Sequence, residues 1–460
     1  MLLVFPDQWR SDWTPANSAV PLRLPHLARL LTEGTNFTHA ITSSPLCAPS
    51  RACFAMGVDY DSCPVKGNGS NLPLTAVTFY SKLRDHGYHT LACGKMDLAK
   101  GAHDWGIDGT HPMADGTTKI SKWGFTDAID NAGKQERVAL ETANCPYTHF
   151  LWDHQLLQEH TADFSKRGDQ HNDSYRYTLP TSLPDYAYAD NFEANNAYSL
   201  LQSVPKGQNW FLQVNFSGPH NPVDVTREMW ESVQGRTYPP PIEPDPAFTP
   251  EEHNKTRQDY AAMLENIDTW LDKFRQLIEQ RGETDNTIVI FASDHGEMLG
   301  DHQRWEKSVP YHASMGIPLI VAGPGISAGV ENDSPVTLQD LAATILEMTH
   351  SLKGSRFMHG HSLQRILRGN ATSVREIAVS GLGPWRAVYD GRWKLIRGFE
   401  PSQAGSEKKA SYRGSHPYLL FDRLNDPDEL ANVIDQHPEV VARLLPYLDK
   451  SPDAGIERSG

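Results

Sequence analysis

Cysteine is scarce in this chain, and the scarcity is informative. Five cysteines (Cys47, Cys53, Cys63, Cys93 and Cys145) are scattered through 460 residues. An odd number in a chain this long is not a disulfide framework, and no pair has zinc-finger spacing. No unbroken apolar run is long enough to cross a bilayer, which argues against a membrane protein. Clustered lysine and arginine are missing too: the net charge is -15, the wrong sign for holding a nucleic-acid backbone. An anionic substrate must then be met by locally placed cations or a metal. The opening "MLLVFPDQWR" lacks a basic start, a long apolar core and a small-residue cleavage site. It reads as a buried strand over Leu2 to Phe5, and the expectation is a cytoplasmic protein.

What is present is ordinary globular composition, 39% hydrophobic and 22% charged, at a length that allows a large core and more than one domain. Strand-like and helix-like segments alternate. "LLVFP", "YHTLACG" (88–94), "NWFLQVNFSG" (209–218), "NTIVIFASDHG" (286–296) and "IPLIVAGPG" (317–325) read as strands. "LPHLARLLTEG" and "AVTFYSKLRDHG" read as helices stopped by glycine. Around 250–281, Tyr260, Met263, Leu264, Ile267, Trp270, Leu271, Phe274 and Ile278 keep the spacing of one buried helical stripe. Strands apolar along their whole length, alternating with helices, predict an α/β fold: a large, mixed, mostly parallel sheet with helices on both faces. Residues 102–190 lack this periodicity and read as substrate-shaping excursions within a catalytic domain spanning 1–370. Over 371–460, "EIAVS", "WRAVYD", "RWKLIRG" and "PYLLFD", followed by "PEVVARLLPYLDK", predict a small antiparallel sheet with one helix.

In such a sheet, function gathers at the carboxyl ends of the strands, and chemistry-bearing residues fall there. Asp7 and Gln8 follow the first strand, Lys95 follows "YHTLACG", His220 follows "NWFLQVNFSG", and Asp294 and His295 end "TIVIFAS". Singly, each has a bland reading as a helix cap, a surface histidine or a solvated lysine. Together they offer oxygen-rich donors with one imidazole, which favours Ca²⁺, with Mn²⁺ or Mg²⁺ as alternatives. Cys47 lies in "SSPLCAPSRACFAMG" (43–57). Pro49 suits the first turn of a helix, and Arg51 one turn on points back toward the helix start. A nucleophile there gains from the dipole and from cationic donors. Cys53 reads as a helix core residue.

"CAPSR" resembles the Cys-x-Pro-Ser-Arg signature of the type I sulfatases, in the alkaline phosphatase superfamily. "FPDQWRSDW" is similar to that family's first metal strand in its Asp-Gln form, found in choline sulfatases and phosphonate monoester hydrolases. "GYHTLACGK", "SDHGEMLGDHQRWEKSVPYHASMGIPLIVAGPG" and "YLLFDRLNDPDELAN" resemble its later segments. The resemblance implies an alkaline-phosphatase-like fold and a sulfuric ester hydrolase whose Cys47 is oxidised to formylglycine by a formylglycine-generating enzyme. By position, Asp7, Asp294, His295 and the modified Cys47 hold the metal, with Gln8 a weaker ligand or a neighbour. Arg51 binds the hydrated aldehyde; Lys95, His220 and Lys307 surround the sulfate; Asn68 contacts the ester. The hydrate attacks sulfur, His220 or Lys307 protonates the departing oxygen, and reformation of the aldehyde releases sulfate. One departure stands out. Where the family has histidine after Gly-Lys, "GKMDL" has Asp97, which either orients Lys95, faces a substrate hydroxyl or cation, or caps a helix. The expected substrate is a sulfated carbohydrate, oligosaccharides included. The rivals are a phosphonate monoester or phosphodiester hydrolase, and a silent sulfatase-like binding protein. The resemblance also allows a homo-oligomer.

Overall fold

The computed structural model describes residues 1–138, 143–167, 173–352, 358–401 and 418–449. Its main sheet has eight strands: β1 (Leu2–Val4), β2 (Gly34–Phe37), β4 (His89–Gly94), β5 (Asp127–Asp130), β6 (Trp210–Asn215), β7 (Val289–Ala292), β8 (Leu319–Ala322) and β9 (Val330–Asn332). They lie in the order β5-β4-β6-β1-β7-β8-β2-β9. A separate pair joins β3 (Ala40–Ile41) to β10 (Val336–Thr337). In the main sheet β5, β4, β6, β1 and β7 are parallel, and β8 alone runs against its neighbours β7 and β2.

Alternation along the strands explains why both faces are covered. Leu2, Val4, Leu212, Val214, Val289 and Phe291 pack on one side with the helices Ala189–Ser203 and Pro250–Gln280. Leu3, Phe5, Phe211, Ile290 and Ala292 pack on the other with Cys47–Met56, Phe79–Asp85 and Leu338–Met348. Odd and even residues of a strand point to opposite faces, so a strand buried on both reads as a continuous apolar run. The long helix starts where its sequence provides a cap. The Thr249 hydroxyl accepts from the Glu252 N–H at 3.2 Å, and the Glu252 carboxylate accepts from the Thr249 N–H at 2.7 Å, with Pro250 in the first turn.

The stretch 102–190 is more ordered than expected. It supplies β5, the edge strand beside β4, and the helices Pro146–Asp153 and Leu157–Arg167. Trp105, Ala132, Cys145, Tyr147, Leu151 and Ala187 form its own apolar cluster.

The small sheet is an antiparallel meander of β11 (Ala378–Leu382), β12 (Trp385–Tyr389), β13 (Trp393–Arg397) and β14 (Tyr418–Asp422). Helix Pro438–Asp449 covers one face through Val440, Leu444 and Leu448. The other face packs Ala387, Tyr389, Ile396 and Phe421 against Ile41, Met298, Tyr311 and Met315 of the large domain. A buried ionic group within the small sheet's part reaches the other through a hydrogen bond: the Glu429 carboxylate pairs with Lys394 and Arg423 and accepts from the His312 N–H at 2.8 Å. Glu429→Ala leaves the Lys394 ammonium buried without its counter-charge. The expected cost is about 3 kcal/mol, read as a lower urea midpoint; an unchanged midpoint would show that the group does not hold the junction.

Candidate active site

Because β4, β6, β1 and β7 are adjacent and parallel, the residues after them emerge at one edge. Asp7 and Gln8 follow β1, Lys95 follows β4, His220 follows β6, and Asp294 and His295 follow β7. The helix Cys47–Met56 brings its first residue to the same edge. Gly94 makes the approach of β4 to β6 feasible: its φ is +100°, and a Cβ there would lie 1.9 Å from the Asn215 carbonyl oxygen.

Donor atoms of Asp7, Cys47, Asp294 and His295 lie within 4.8 Å of one another, and all four residues are buried. Cys47 Sγ is 3.3 Å from His295 Nε2, 3.5 Å from Lys95 Nζ and 3.9 Å from Asp7 Oδ1. His295 donates Nδ1–H to the Gly296 carbonyl at 3.0 Å, which turns Nε2 toward the cluster. Asp294 Oδ1 accepts from the N–H groups of Gln8 (3.0 Å) and His295 (2.9 Å). Its Oδ2 accepts from Arg51 Nε at 2.9 Å. Arg51 also donates to the carbonyl of Lys95 at 2.6 Å and to Asn215 Oδ1 at 3.1 Å. Its Nη2, 3.6 Å from Asp7 Oδ2, has no hydrogen-bond partner.

The charges tune one another. Burial pushes the Asp7 carboxyl up, but Lys95, His220, Arg51 and His295 together hold it well below the usual carboxylate range. Burial and Asp7 push the Cys47 thiol up, yet Lys95, Lys307 and Lys100 outweigh them and leave it below an ordinary thiol. Burial pulls His295 down, while Asp294, Cys47 and Asp7 raise it to about 8. The surrounding cations therefore hold Asp7 ionised, and the anions around His295 favour its charged form. Two carboxylates, one imidazole nitrogen and the Cys47 side chain, converging and buried, fit a divalent cation.

Lys307 and His220 form a second group. Lys307 Nζ donates to Gln8 Oε1 at 2.7 Å and to His220 Nε2 at 2.8 Å. His220 donates Nδ1–H to the Asn221 carbonyl at 2.5 Å, so Nε2 is the acceptor. Burial with the charges of Lys307 and Lys95 holds His220 well below its usual pKa. Gln8 is thus drawn to Lys307 through its carbonyl oxygen, while its amide nitrogen bonds Glu297 and lies 3.3 Å from Tyr175 Oη. Lys95 pairs with Asp7. Asp97 caps no helix; its Oδ2 sits 3.4 Å from Lys95 and 3.1 Å from Lys100. Asn68 Oδ1 accepts from the Ala48 N–H at 3.1 Å, at the start of the Cys47 helix.

Sequence reasoning missed several contributors. Glu297 accepts from Tyr175 Oη at 2.7 Å and from the N–H groups of Leu299 (2.8 Å) and Glu306 (2.6 Å). Lys100 pairs with Glu136 at 3.1 Å. Glu297 stands two residues after His295, a signal that was available; Tyr175 and Glu136 lie in the stretch without periodicity. Gln8, Asp97, Glu306 and Ser308 all carry positive φ (72°, 53°, 64° and 77°), backbone strain concentrated at the site.

A sheet with one reversed strand, carrying a buried carboxylate–imidazole cluster and a helix-borne cysteine at its carboxyl edge, defines an alkaline-phosphatase-like hydrolase. Residues 1–351 match the family model described as Sulfatase, and residues 300–451 match N-sulphoglucosamine sulphohydrolase, C-terminal. The chain belongs to the sulfatase family, enzymes that hydrolyse sulfate esters. It is 25% identical to human arylsulfatase K (96% of this chain, 80% of that one). It is 26% identical to the choline-sulfatase of Rhizobium meliloti (95% and 82%). Its fold is shared with a phosphonate monoester hydrolase from Silicibacter pomeroyi, at TM-score 0.73, 21% identity, and 97% and 94% coverage. BT4656, solved in complex with its substrate D-glucosamine-2-N,6-O-disulfate, matches at TM-score 0.74, 16% identity, and 98% and 96% coverage.

Proposed function

We propose that this chain cleaves the sulfate monoester of a carbohydrate, with Cys47 converted to formylglycine by a formylglycine-generating enzyme. In this reading Asp7, Asp294, His295 and the modified Cys47 hold one Ca²⁺. The observation that carries it is the buried meeting of those four donors, with Lys95 at 3.5 Å from Cys47 Sγ. Conversion replaces sulfur by oxygen and leaves a donor set of three oxygens and one nitrogen, which suits Ca²⁺ better than a soft metal. A bound divalent cation supplies Lewis-acid polarisation of a sulfate oxygen and lowers the pKa of the aldehyde hydrate.

The chain's own side chains account for the rest. Lys95 and Lys307, both buried, offset the charge of the sulfate. Arg51 spans Asp294, Asn215 and the Lys95 carbonyl, and its Nη2 is a donor in reserve for the hydrate. His220, kept neutral beside Lys307, forms with it a proton-holding pair for the leaving oxygen. Asp97 holds Lys95 and Lys100 in register. The carbohydrate reading draws on the disulfated glucosamine bound by BT4656 and on the sulphohydrolase match at 300–451.

The test pairs chelation with a substrate panel. Removing divalent cations is expected to lower turnover by roughly 100-fold or more, with Ca²⁺ restoring it better than Mg²⁺ or Mn²⁺. Sulfated mono- and oligosaccharides are expected to outrun choline sulfate and phosphonate monoesters in kcat/KM. A faster phosphonate monoester would transfer the assignment to the phosphonate hydrolases.

A further inference from the structure

The loop that carries His220 is gripped from outside the site by buried charge. On one side, helix Ala189–Ser203 turns Asp190 and Glu193, one helical turn apart, toward the end of β6. Asp190 Oδ1 accepts from the Gly218 N–H at 2.8 Å. Glu193 accepts from the Ser217 N–H at 2.9 Å and from its hydroxyl at 2.7 Å. On the other side, Lys134 Nζ donates to the Pro222 carbonyl at 3.2 Å and to Asp224 Oδ1 at 2.6 Å. Asp190 and Glu193 are fully buried, and Lys134 is 2% exposed. The carbonyls of Phe216 and Gly218 accept from the Asp7 N–H at 3.2 and 3.1 Å, which ties the same turn to a candidate metal ligand.

Burying four ionisable groups, Lys134, Asp190, Glu193 and Asp224, to fix eight residues of loop is expensive unless the loop's position matters. Gly218 is fitted to the grip: a Cβ there would lie 2.3 Å from Asp190 Oδ2. Two residues on, His220 has its Nε2 2.8 Å from Lys307, a distance that a small displacement of the loop would break. A misplacement of about 1 Å in a proton-transferring group costs roughly 100-fold. The hydrogen bonds of this grip go to the backbone on either side of His220, to the Ser217 hydroxyl and to the Asp224 carboxylate.

We propose that Lys134, Asp190 and Glu193 are positioning residues that set the His220 loop for protonation of the leaving oxygen. The proposal rests on the sulfatase reading and on His220 as part of the proton-holding pair. A grip that only held the fold together would slow all substrates alike. One that aims the Lys307–His220 pair must matter most where the leaving group needs the proton, and must lose its effect once His220 is removed and the pair is broken.

The experiment is a double-mutant cycle on two aryl sulfates, with 4-nitrophenyl sulfate as the good leaving group and phenyl sulfate as the poor one. Lys134→Met is expected to lower kcat/KM for phenyl sulfate about tenfold more than for 4-nitrophenyl sulfate. Added to His220→Ala, it is expected to cost less than about twofold further on either substrate. Glu193→Gln, which keeps an acceptor for Ser217, serves as the milder variant should Lys134→Met fail to fold; a smaller loss with the same leaving-group bias is expected. Equal losses on both substrates, or losses that multiply in the His220→Ala background, overturn the proposal. If His220→Ala itself slows both substrates equally, the acid role falls and the positioning role with it. If no sulfate ester is turned over by the unmutated enzyme, it is the sulfatase reading that fails.

Discussion

Cys47→Ala is expected to lower sulfate-ester turnover by roughly 10⁵-fold, the scale of losing a nucleophile, while the protein stays folded. The side chain is small and fully buried, so its removal costs about 1 kcal/mol of packing. Its polar neighbours lose little, since His295 keeps its bond to Gly296 and Lys95 its pair with Asp7. Structure and activity should therefore separate cleanly: near-wild-type circular dichroism and urea midpoint, with initial rates at background. Intact mass of the unmutated protein supplies the complementary measurement. Conversion exchanges sulfur for oxygen with loss of two hydrogens, and the active fraction should equal the converted fraction. An alanine variant with wild-type rates would remove Cys47 from the reaction. A fully unconverted yet active preparation would leave the thiol itself as the nucleophile, assisted by the lysines that already depress its pKa.

The strands that carry the site were legible because burial on both faces writes itself as an apolar run: β1, β4, β6 and β7 needed no partner to be seen. Knowing where those runs stop was enough to assemble Asp7, Lys95, His220, Asp294 and His295 at one edge. The strands β2, β5 and β9 were not legible. β5 is "DAID", with aspartate at both ends, and its identity comes from pairing with β4 across some 36 residues rather than from its own pattern. The same limit separates ligands from neighbours at the site. Nothing in "FPDQW" says where the Gln8 amide points. That depends on Glu297 and Lys307, about 300 residues away. Asp97 is similar: "GKMDL" fits a helix cap as well as an ion pair, and only the positions of Lys95 and Lys100 select the pair.

Asp294 is where stability and chemistry are most tightly joined, and two substitutions should pull them apart. Its carboxylate is fully buried; it receives Arg51 Nε on one oxygen and two backbone N–H groups on the other. Asp294→Ala strips all of these at once. Arg51, 2% exposed, keeps its bonds to the Lys95 carbonyl and Asn215 but loses its hydrogen-bonded counter-charge, with Asp7 3.6 Å away, and breaking a buried pair costs about 3–5 kcal/mol. Asp294→Asn keeps an oxygen for the two N–H groups and the shape of the pocket, but loses the charge that attracts a cation and balances Arg51. Alanine is therefore expected to lower the urea midpoint strongly and asparagine mildly. Both should lose bound cation by elemental analysis and turnover by roughly 10³-fold, about 4 kcal/mol of barrier. The contrast is diagnostic because a purely structural carboxylate predicts the opposite pairing, with asparagine recovering activity in step with stability. An asparagine variant that keeps one cation per chain and the wild-type rate would take Asp294 out of the ligand set, and the charge of Arg51 would then be all that its carboxylate answers.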